Sequence, residues 1–334
     1  MASHVSQRWL VTGGAGFIGS NFIRLALTER PEVAILNFDA LTYAGRRENL
    51  ADLESDPRYR FQQGDITAAD QVEAAMAAHR PQVVVHFAAE SHVDRSIQEA
   101  APFVRTNVLG TQVLLDAARR HGVSCFLHVS TDEVYGSLGT VGRFDEDSPL
   151  APNSPYAASK AASDLLVRAA VRTHGLAAIV IRASNTYGPY QFPEKLIPLA
   201  IAHAECGEPV PLYGTGDNVR TWLHVDDHCR GILAALERGS SGAIYNLGSD
   251  DELANRELLG RLLGLLGQPL SLIQPVPDRP GHDHRYALDC GRARRELAWA
   301  PRIALEAGLH QTVAWYHQHR PWLQAMRGRE ARGR

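Results

Sequence analysis

Residues 9–23 read WLVTGGAGFIGSNFI, an apolar run that passes into a glycine-rich loop and then into a helical pattern. Four glycines of the loop fit both GxGxxG and GxxGxxG spacing: Gly13, Gly14, Gly16 and Gly19. Asp39, 20 positions after Gly19, ends the next apolar run. Glycines let the backbone approach a pyrophosphate at a helix N-terminus, and a carboxylate at that spacing accepts hydrogen bonds from ribose hydroxyls. The stretch therefore predicts a βαβ unit that binds a dinucleotide.

Asp39 also bears on which dinucleotide is bound. Its negative charge would repel a 2′-phosphate, so the sequence favours NAD over NADP. Arg46 and Arg47 lie close enough in sequence to leave NADP open. Further cofactor contacts are expected in the loop and at the ends of the following strands: Phe17, Ile18, Asp65, Ile66 and Ala88.

Short apolar runs alternate with helical patterns through the first half of the chain. Six of these runs predict strands, at residues 9–13, 33–39, 59–65, 83–88, 125–130 and 177–183. Continuously apolar runs such as VVVHFA fit strands that helices cover on both faces. The predicted fold is α/β, a Rossmann-type doubly wound parallel sheet with a smaller α/β substrate-binding lobe.

The pattern changes after about residue 185, where segments rich in Pro and Gly separate helical patterns at 256–267 and 304–319. We expect residues 1–185 to form an NAD-binding domain and residues 186–330 to form the lobe that binds the substrate. The segment 221–248 reads as a strand, a helix and a strand, and is predicted to return to the first domain.

The composition excludes several classes of protein. The chain has 334 residues, of which 45% are hydrophobic and 21% charged, and its net charge of −3 gives no field that would attract nucleic acid. The four cysteines form no CxxC pair and no HExxH motif occurs, so we expect reduced cytoplasmic thiols and no metal site. The chain has no signal-peptide pattern near its start and no run of about 18 apolar residues, so we expect no membrane association.

Residues 130–136, STDEVYG, follow the fifth predicted strand at the carboxyl edge of the sheet, where ligands bind in this fold class. Downstream, Tyr156 and Lys160 are four positions apart and share one face of a predicted helix. We expect the Lys160 ammonium to lower the pKa of Tyr156 so that it can act as a base. Asp132 and Glu133 can serve one substrate only if the chain turns there, and confinement should push their pKa values apart.

Five segments, in this order, resemble the extended short-chain dehydrogenase/reductase superfamily and, within it, the dTDP-glucose 4,6-dehydratases: TGGAGFIG, AAESHVDRS, STDEVYG, YAASK and NTYGPYQFPEKLIP. The resemblance runs from about Leu10 to Trp322. It implies an NAD-dependent lyase that converts a nucleoside diphosphate glucose to the 4-keto-6-deoxy sugar. It also implies a homodimer, for which the apolar positions of 111–120 and 162–171 fit either a subunit contact or packing against the sheet.

The same resemblance implies a role for each residue of the predicted catalytic site. Tyr156 takes the O4 proton while NAD accepts hydride from C4, Thr131 binds O4, and Lys160 sustains the phenolate and binds the nicotinamide ribose. Glu133 then removes the C5 proton, and Asp132 protonates O6 as it leaves in water. Hydride returns to C6, so the reaction involves no net redox change.

A nucleoside diphosphate carries negative charges that need local cations. The resemblance assigns substrate contacts to residues from both halves of the chain: His92, Asn185, Lys195, Pro211, Tyr213, Arg220, Asn255, Arg279 and Tyr286. Two positions depart from the family pattern, with Thr186 where Asn is usual and Thr221 where Asp is usual. They leave open whether the nucleotide is dTDP or UDP and whether the sugar is glucose or a modified glucose.

Two other kinds of protein use the same fold. A nucleotide-sugar 4-epimerase or a uronate decarboxylase needs Tyr156, Lys160 and NAD but makes no evident use of Asp132 and Glu133. A non-catalytic dinucleotide-sensing protein would be expected to have lost Tyr156 or Lys160, and both are present.

Overall fold

Twelve strands form in residues 7–330, the part of the chain that this computed structural model describes. Their bounds are β1 (Gln7–Thr12), β2 (Val33–Asp39), β3 (Tyr59–Gln63), β4 (Val83–His86), β5 (Cys125–Thr131), β6 (Ala178–Ala183), β7 (Asn185–Tyr187), β8 (Val210–Tyr213), β9 (Val219–His224), β10 (Ile244–Leu247), β11 (Glu252–Ala254) and β12 (Ile273–Val276). The helices of the same residues are α1 (Phe17–Glu29), α2 (Ala69–His79), α3 (Val93–Gln98), α4 (Ala101–Phe103), α5 (Thr111–Arg120), α6 (Pro155–His174), α7 (Leu196–Glu205), α8 (Val225–Arg238), α9 (Asn255–Leu265), α10 (Gly291–Glu296), α11 (Leu305–Gln318) and α12 (Arg320–Glu330).

Seven strands form one parallel sheet in the order β10-β6-β5-β4-β1-β2-β3. Apart from the partly exposed edge strand β3, these strands are largely buried on both faces, because one core packs α1 and α8 against the sheet and a second packs α2, α5 and α6 against the other face. The predicted strands and the doubly wound α/β class are confirmed. The order of the strands places the carboxyl ends of β1, β2, β4, β5 and β6 along one edge.

The remaining strands belong to a smaller α/β unit. It holds a three-stranded sheet, β11-β9-β7, and the parallel pair β12-β8. A third core joins α7, α9 and α11 around these strands, with Ile197, Leu258 and Leu309 fully buried. Residues 288–299 contribute Leu288 and Trp299 to the core of the large sheet, so the chain returns to that sheet after passing through the smaller unit.

The glycine loop between β1 and α1 is shaped by close backbone approach. Gly13 has a φ of +71°, and a Cβ there would lie 2.5 Å from the amide nitrogen of Ala88. A Cβ on Gly19 would overlap the carbonyl oxygen of Gly13. Only glycine fits both positions, so the loop stays open above the start of α1.

Helix α6 begins and ends at clear signals. The Ser154 hydroxyl accepts a hydrogen bond from the Ala157 amide at 3.1 Å, and Pro155 takes the first helical position. The helix ends at Gly175, which has the left-handed φ of 66° typical of a C-terminal cap. This register places Tyr156 and Lys160 on the face that points to the carboxyl ends of β5 and β6.

Candidate active site

A single cavity follows the carboxyl edge of the large sheet. All of the predicted catalytic and cofactor residues contribute to its lining: Gly13, Gly16, Phe17, Ile18, Gly19, Asp39, Asp65, Ile66, Ala88, Thr131, Asp132, Glu133, Tyr156 and Lys160. Two of the predicted substrate residues, Asn185 and Lys195, line it as well. Positions far apart in sequence thus meet at one edge because the parallel strands all end there.

At the β2 end of the cavity, Asp39 is held by the backbone. Its two carboxylate oxygens accept hydrogen bonds from the amides of Ala15, at 2.9 Å, and Leu41, at 2.8 Å. Burial raises the pKa of Asp39, while these two amides and Arg46 oppose the rise. Arg46 donates to the carbonyls of residues 42, 43 and 45, and Arg47 pairs with Glu54. Both guanidiniums have protein partners, an arrangement that favours a ribose with free hydroxyls.

This end of the cavity fits a dinucleotide. The glycine loop leaves space that a Cβ would fill, and α1 begins at Phe17 with no side chain hydrogen-bonded to its first amides. Free amides at a helix start bind phosphate, and Asp39 lines the same cavity at the end of β2, the place from which a carboxylate binds a ribose in this fold class.

At the β5 end, the chain turns sharply after Thr131. The Thr131 hydroxyl caps a 3₁₀ turn, Asp132–Tyr135, by accepting from the Glu133 amide at 3.3 Å. Gly136 closes the turn with a φ of +81°. Asp132 and Glu133 are therefore helical rather than extended, which confirms the predicted turn and lets both carboxyls face the same cavity.

The two carboxyls have different surroundings. Asp132 is 1% exposed, and burial together with the charge of Glu133 raises its pKa to about 8. Its Oδ1 accepts from Thr131 at 3.3 Å, whereas its Oδ2 has no hydrogen-bond partner among the described residues. Burial also raises the pKa of Glu133, but Arg279, Arg220 and Lys195 oppose the rise. Asp132 is thus protonated at neutral pH, and the nearby cations favour an ionised Glu133.

The expectation that Lys160 lowers the pKa of Tyr156 is wrong for this structure. Burial, followed by the charges of Glu133 and Asp132, raises the pKa of Tyr156, and the Thr131 hydroxyl only partly opposes this. Lys160 donates to the carbonyl of Val129 at 2.8 Å instead of contacting the phenol. Burial lowers the pKa of Lys160 to about 8, although Asp164 opposes the fall. Tyr156 is accordingly a neutral phenol here.

Asp164 lies one turn beyond Lys160 on the same face of α6, and sequence reasoning missed it. It is fully buried and accepts from Arg182, also buried, at 2.9 Å. Burial would raise the pKa of Asp164, but His128 and Arg182 lower it overall. The spacing of Tyr156, Lys160 and Asp164, each four positions apart, is the signal that could have indicated Asp164.

The predicted substrate cations come from separate elements. Lys195, which precedes α7, donates to the carbonyl of Ser91 at 2.9 Å. Arg220 lies on β9 with its guanidinium 4.4 Å from the ring centre of Tyr286, and Arg279 pairs with Asp94 at 3.4 Å. All three cations lower the pKa of Glu133. They therefore lie around the predicted catalytic turn, Asp132–Tyr135.

Seven predicted substrate residues lie outside the lining of this cavity: His92, Pro211, Tyr213, Arg220, Asn255, Arg279 and Tyr286. Arg220, Arg279 and Tyr286 lie near Glu133, which lines the cavity, and two further residues reach its surroundings through neighbours. His92 lies 3.5 Å from Glu194, which lines the cavity, and Tyr213 donates to Asp94 at 2.8 Å, the carboxylate that also pairs with Arg279. Pro211 and Asn255 make no such link to the catalytic turn among the contacts of residues 7–330.

The cavity is also lined by residues that the sequence did not indicate, among them Glu194, Gln191 and His228. Gln191 and Glu194 stand in the quoted segment NTYGPYQFPEKLIP, and His228 lies in the first turn of α8. Nothing in their spacing predicts that they reach the carboxyl edge of β6, because the smaller unit intervenes in the chain. Within residues 7–330, no cluster of side chains could hold a metal ion, and no helix has the length and apolar character needed to cross a membrane.

Comparison with known proteins gives a consistent set of relatives. Residues 10–312 match the family model described as GDP-mannose 4,6 dehydratase. A dTDP-glucose 4,6-dehydratase of Streptomyces griseus is 56% identical over 315 residues, covering 94% of this chain and 95% of that protein. The solved structure of DesIV, a dTDP-glucose 4,6-dehydratase from Streptomyces venezuelae with NAD bound, has a TM-score of 0.93 at 52% identity and covers 96% of this chain and 99% of its own. A UDP-glucose 4-epimerase from Thermotoga maritima is similar at 30% identity, with a TM-score of 0.86 and coverage of 93% and 99%.

Proposed function

This chain belongs to the dTDP-glucose 4,6-dehydratase family, and we propose that it converts dTDP-glucose to the 4-keto-6-deoxy sugar as an NAD-dependent hydro-lyase. The observation that carries the proposal is the pair Asp132 and Glu133 on one turn beside Tyr156, at the far end of a dinucleotide cavity. Oxidation alone needs only a base and a cofactor. Elimination of water needs an acid and a second base, which this pair supplies.

The first half of the reaction removes hydrogen from C4 of the glucose. Bound NAD supplies the hydride acceptor, and the positive charge of its oxidised ring favours a phenolate nearby. Tyr156 accepts the O4 proton, and the Thr131 hydroxyl binds O4. The Lys160 ammonium donates to the carbonyl of Val129 and places a positive charge in the cavity wall near Tyr156. Asp164 helps Lys160 to stay protonated.

The second half eliminates water across C5 and C6, after which the hydride taken from C4 adds to C6 and a proton adds to C5, so that the 4-keto-6-deoxy sugar forms without net redox change. The 4-keto group makes the C5 proton acidic, and Glu133 removes it as the ionised member of the pair. Asp132 is the protonated member, with a pKa of about 8, and its role is to deliver this proton to O6; no other described protein group accepts from or donates to its Oδ2. This division of roles follows from burial, since Asp132 is more enclosed while Glu133 lies among three cations.

The epimerase and decarboxylase alternatives are less well supported. The epimerase from Thermotoga maritima is 30% identical to this chain, whereas the dehydratases are 52% and 56% identical. Neither alternative gives Asp132 a reason to be buried and protonated next to a second carboxyl. The dTDP nucleotide is likewise preferred over UDP because the dehydratase relatives are described as acting on dTDP-glucose.

The test is incubation of the purified protein with dTDP-glucose and UDP-glucose, each deuterated at C4, followed by mass spectrometry of the products. We expect loss of one water with deuterium retained at C6, and faster turnover of the dTDP sugar. An isomer of unchanged mass would replace the dehydratase proposal by an epimerase. Faster turnover of the UDP sugar would leave the chemistry in place and change the nucleotide.

The proposal includes a homodimer and a cytoplasmic location. Val104 and Leu109, in the π-helical segment that precedes α5, and Leu165 on α6 are 55%, 49% and 52% exposed, and the π-helical segment packs against α6. A second subunit would cover them. Sedimentation should give a dimer for the parent protein and a monomer for the Leu109→Glu, Leu165→Glu double variant. The four cysteines are free thiols, in keeping with a reducing compartment.

We also propose that the two structural units divide the binding work. Residues 1–185, with 221–248, would hold NAD, and residues 186–330 would supply the cations for the diphosphate of the substrate. The core shared by α1, α8 and β10 supports the first part. Two arginines support the second: Arg220 on β9 and Arg279, which follows β12.

A further inference from the structure

Arg182 is the largest side chain that is fully buried among the described residues. It stands on β6, opposite Ser130 of β5 on one side and Asn246 of β10 on the other. It does not line the cavity, so it has no direct access to a bound ligand. Burying a guanidinium is costly unless it is paired and hydrogen-bonded, so the partners of Arg182 indicate what the residue does.

These partners lie on two different catalytic elements. Nε of Arg182 donates to Oδ2 of Asp164, on α6, at 2.9 Å. Nη1 donates to the Tyr135 hydroxyl at 2.9 Å, and the guanidinium carbon lies 4.8 Å from the centre of the Tyr135 ring. Helix α6 carries the group that takes the O4 proton, and Tyr135 is the last residue of the predicted catalytic turn. Arg182 therefore joins the elements that serve the two halves of the reaction.

The hydrogen bonds around the Tyr135 hydroxyl have one consistent assignment. The side-chain nitrogen of Asn246 donates to the carbonyls of Phe144 and Asp289, at 3.1 and 3.3 Å, so its Oδ1 is an acceptor. The Tyr135 hydroxyl donates its one proton to this oxygen at 2.8 Å and must therefore accept from Arg182. Burial raises the pKa of Tyr135 to about 12, so the phenol keeps this proton. Tyr135 is thus an anchor for the turn and not a further base.

This anchor holds the predicted catalytic turn more tightly than the hydroxyl at its other end. At the start of the turn, the Thr131 hydroxyl contacts the Glu133 amide and Oδ1 of Asp132, each at 3.3 Å. The two bonds of the Tyr135 hydroxyl are 2.8 and 2.9 Å long and are buried. The turn is short and carries both carboxyls, so a shift at its end moves them relative to the substrate. A displacement of about 1 Å can lower a rate by about a hundredfold.

Asp164 fixes the other end of the link. Its Oδ1 lies 3.5 Å from Nε2 of His128, on β5. The Ser163 hydroxyl donates to the carbonyl of Lys160 at 2.8 Å, so Nε2 of His128 carries a proton and donates it to Ser163 at 3.2 Å. Asp164 is thus held as the ionised partner of Arg182, and the guanidinium cannot move away without leaving a buried charge unpaired.

We propose that Arg182 is a positioning residue that holds the predicted catalytic turn in place relative to α6, through Asp164 at one end and the Tyr135 hydroxyl at the other. The inference rests on the proposed dehydratase chemistry and adds the group that aligns its two halves. Oxidation at C4 needs the base on α6, whereas elimination also needs both carboxyls of the turn. Loss of the link should therefore slow elimination more than oxidation.

The test is Tyr135→Phe, which keeps the ring and removes the hydroxyl. The purified protein with bound NAD is saturated with dTDP-glucose, and kcat is measured together with the fraction of bound cofactor that is reduced during turnover, from its near-ultraviolet absorbance. We expect kcat to fall by about tenfold. The reduced fraction should rise, because the oxidised sugar waits longer for elimination. Equal slowing of both halves would leave this fraction unchanged.

Tyr245→Phe is the matched control. Tyr245 is also buried, and its hydroxyl donates to Glu296 at 2.9 Å and accepts from the Ser240 amide at 3.1 Å. These partners belong to neither α6 nor the predicted catalytic turn. Both variants lose two hydrogen bonds, so we expect similar decreases in melting temperature. Tyr245→Phe should nevertheless keep the kcat and the reduced fraction of the parent protein.

Arg182→Lys tests whether the hydroxyl acts through Arg182. A lysine keeps a positive charge opposite Asp164 but lacks the planar fork that reaches two partners at once. Adding Tyr135→Phe to Arg182→Lys should therefore lower kcat by less than about twofold, whereas independent effects would multiply.

Three results would overturn the inference and leave the dehydratase proposal standing: a parent-like kcat in Tyr135→Phe, a lower kcat with an unchanged reduced fraction, or multiplying effects in the double variant. If Arg182→Lys fails to fold, the comparison of Tyr135→Phe with Tyr245→Phe decides. Failure of the parent protein to convert either nucleotide sugar would instead overturn the proposed function, and this inference with it.

Discussion

Asp39 and Asp132 stand at opposite ends of one cavity, and the protein treats their carboxyls differently. Both are buried, at 7% and 1% exposure. Asp39 accepts from two backbone amides, whereas Asp132 keeps one oxygen without a partner among residues 7–330. The carboxylate at the β2 end is thus held by the backbone before any ligand arrives, whereas the carboxyl at the β5 end keeps one oxygen without a protein partner among the described residues.

The difference indicates where stability and chemistry compete. At the β2 end, glycines and amides form a rigid cradle whose function is to hold a ligand. At the β5 end, burial raises the pKa values of Asp132, Glu133 and Tyr156 together. Such groups are costly in the folded protein but are ready to exchange protons. Variants at the β5 end should therefore change rates strongly, and variants at the β2 end should change affinity modestly.

Tyr156→Phe should have the largest effect. Without the phenol, no group in reach takes the O4 proton, and kcat should fall by about a thousandfold or more. The amount of bound NAD should stay near that of the parent protein, because the β2 end is unchanged. Steady-state kinetics and the NAD content of the purified variant check both parts. Activity above a few per cent of the parent would mean that another residue is the base.

Glu133→Gln should block the reaction after its first half. C4 can still be oxidised, but the C5 proton stays in place, so overall turnover should fall by about a hundredfold to a thousandfold. The bound cofactor should accumulate in its reduced form on mixing with substrate, visible by its near-ultraviolet absorbance. Asp132→Asn is the matched comparison, and it should allow C5 exchange with solvent while slowing loss of water. Equal and unimpaired turnover in both variants would favour the epimerase alternative.

Asp132 should make the folded protein less stable as the pH rises. Its pKa is about 8 when folded and near 3.8 when unfolded, so between these values the unfolded chain releases a proton that the folded protein keeps. Rising pH therefore favours unfolding across this window, and the loss of unfolding free energy due to Asp132 is complete only above about pH 8.

Asp132→Asn removes this dependence. Relative to the variant, the parent protein should lose about 2 to 3 kcal/mol of unfolding free energy between about pH 5 and pH 7. Denaturant titrations at both pH values measure the difference. Parallel pH profiles for the parent and the variant would show that Asp132 is ionised in the folded protein, against its proposed role as the acid.

The sequence predicts the β2 end better than the β5 end, for a physical reason. Glycine spacing and Asp39 lie within one βαβ unit, so local rules determine their geometry. Tyr156 and Lys160 are also local, through the helical repeat. The sequence predicts the pKa of Tyr156 in the wrong direction, because this pKa depends on burial and on Asp132 and Glu133, which lie on the turn after β5 rather than on α6.

The partners of the β5 end are brought together only by the fold. Asp164 pairs with Arg182 across the contact between α6 and β6, and His228 reaches Thr186 from a helix that begins 39 positions further along the chain. No periodicity in the sequence predicts such pairs. They form because the strand order of the sheet places all these carboxyl ends along one edge.

Asp39→Asn should have the smallest effect and test the other side of the comparison. Asn can donate to a ribose hydroxyl oxygen and still accept from one backbone amide, so NAD affinity should fall by only about tenfold. The negative charge that disfavours a 2′-phosphate is removed, so the ratio of NAD to NADP affinity should fall further than the NAD affinity itself. Titration of both cofactors measures the two quantities, and kcat at saturating NAD should stay close to that of the parent protein. A large loss of kcat at saturation would mean that the β2 end also orients the nicotinamide, and that the two ends of the cavity are not independent.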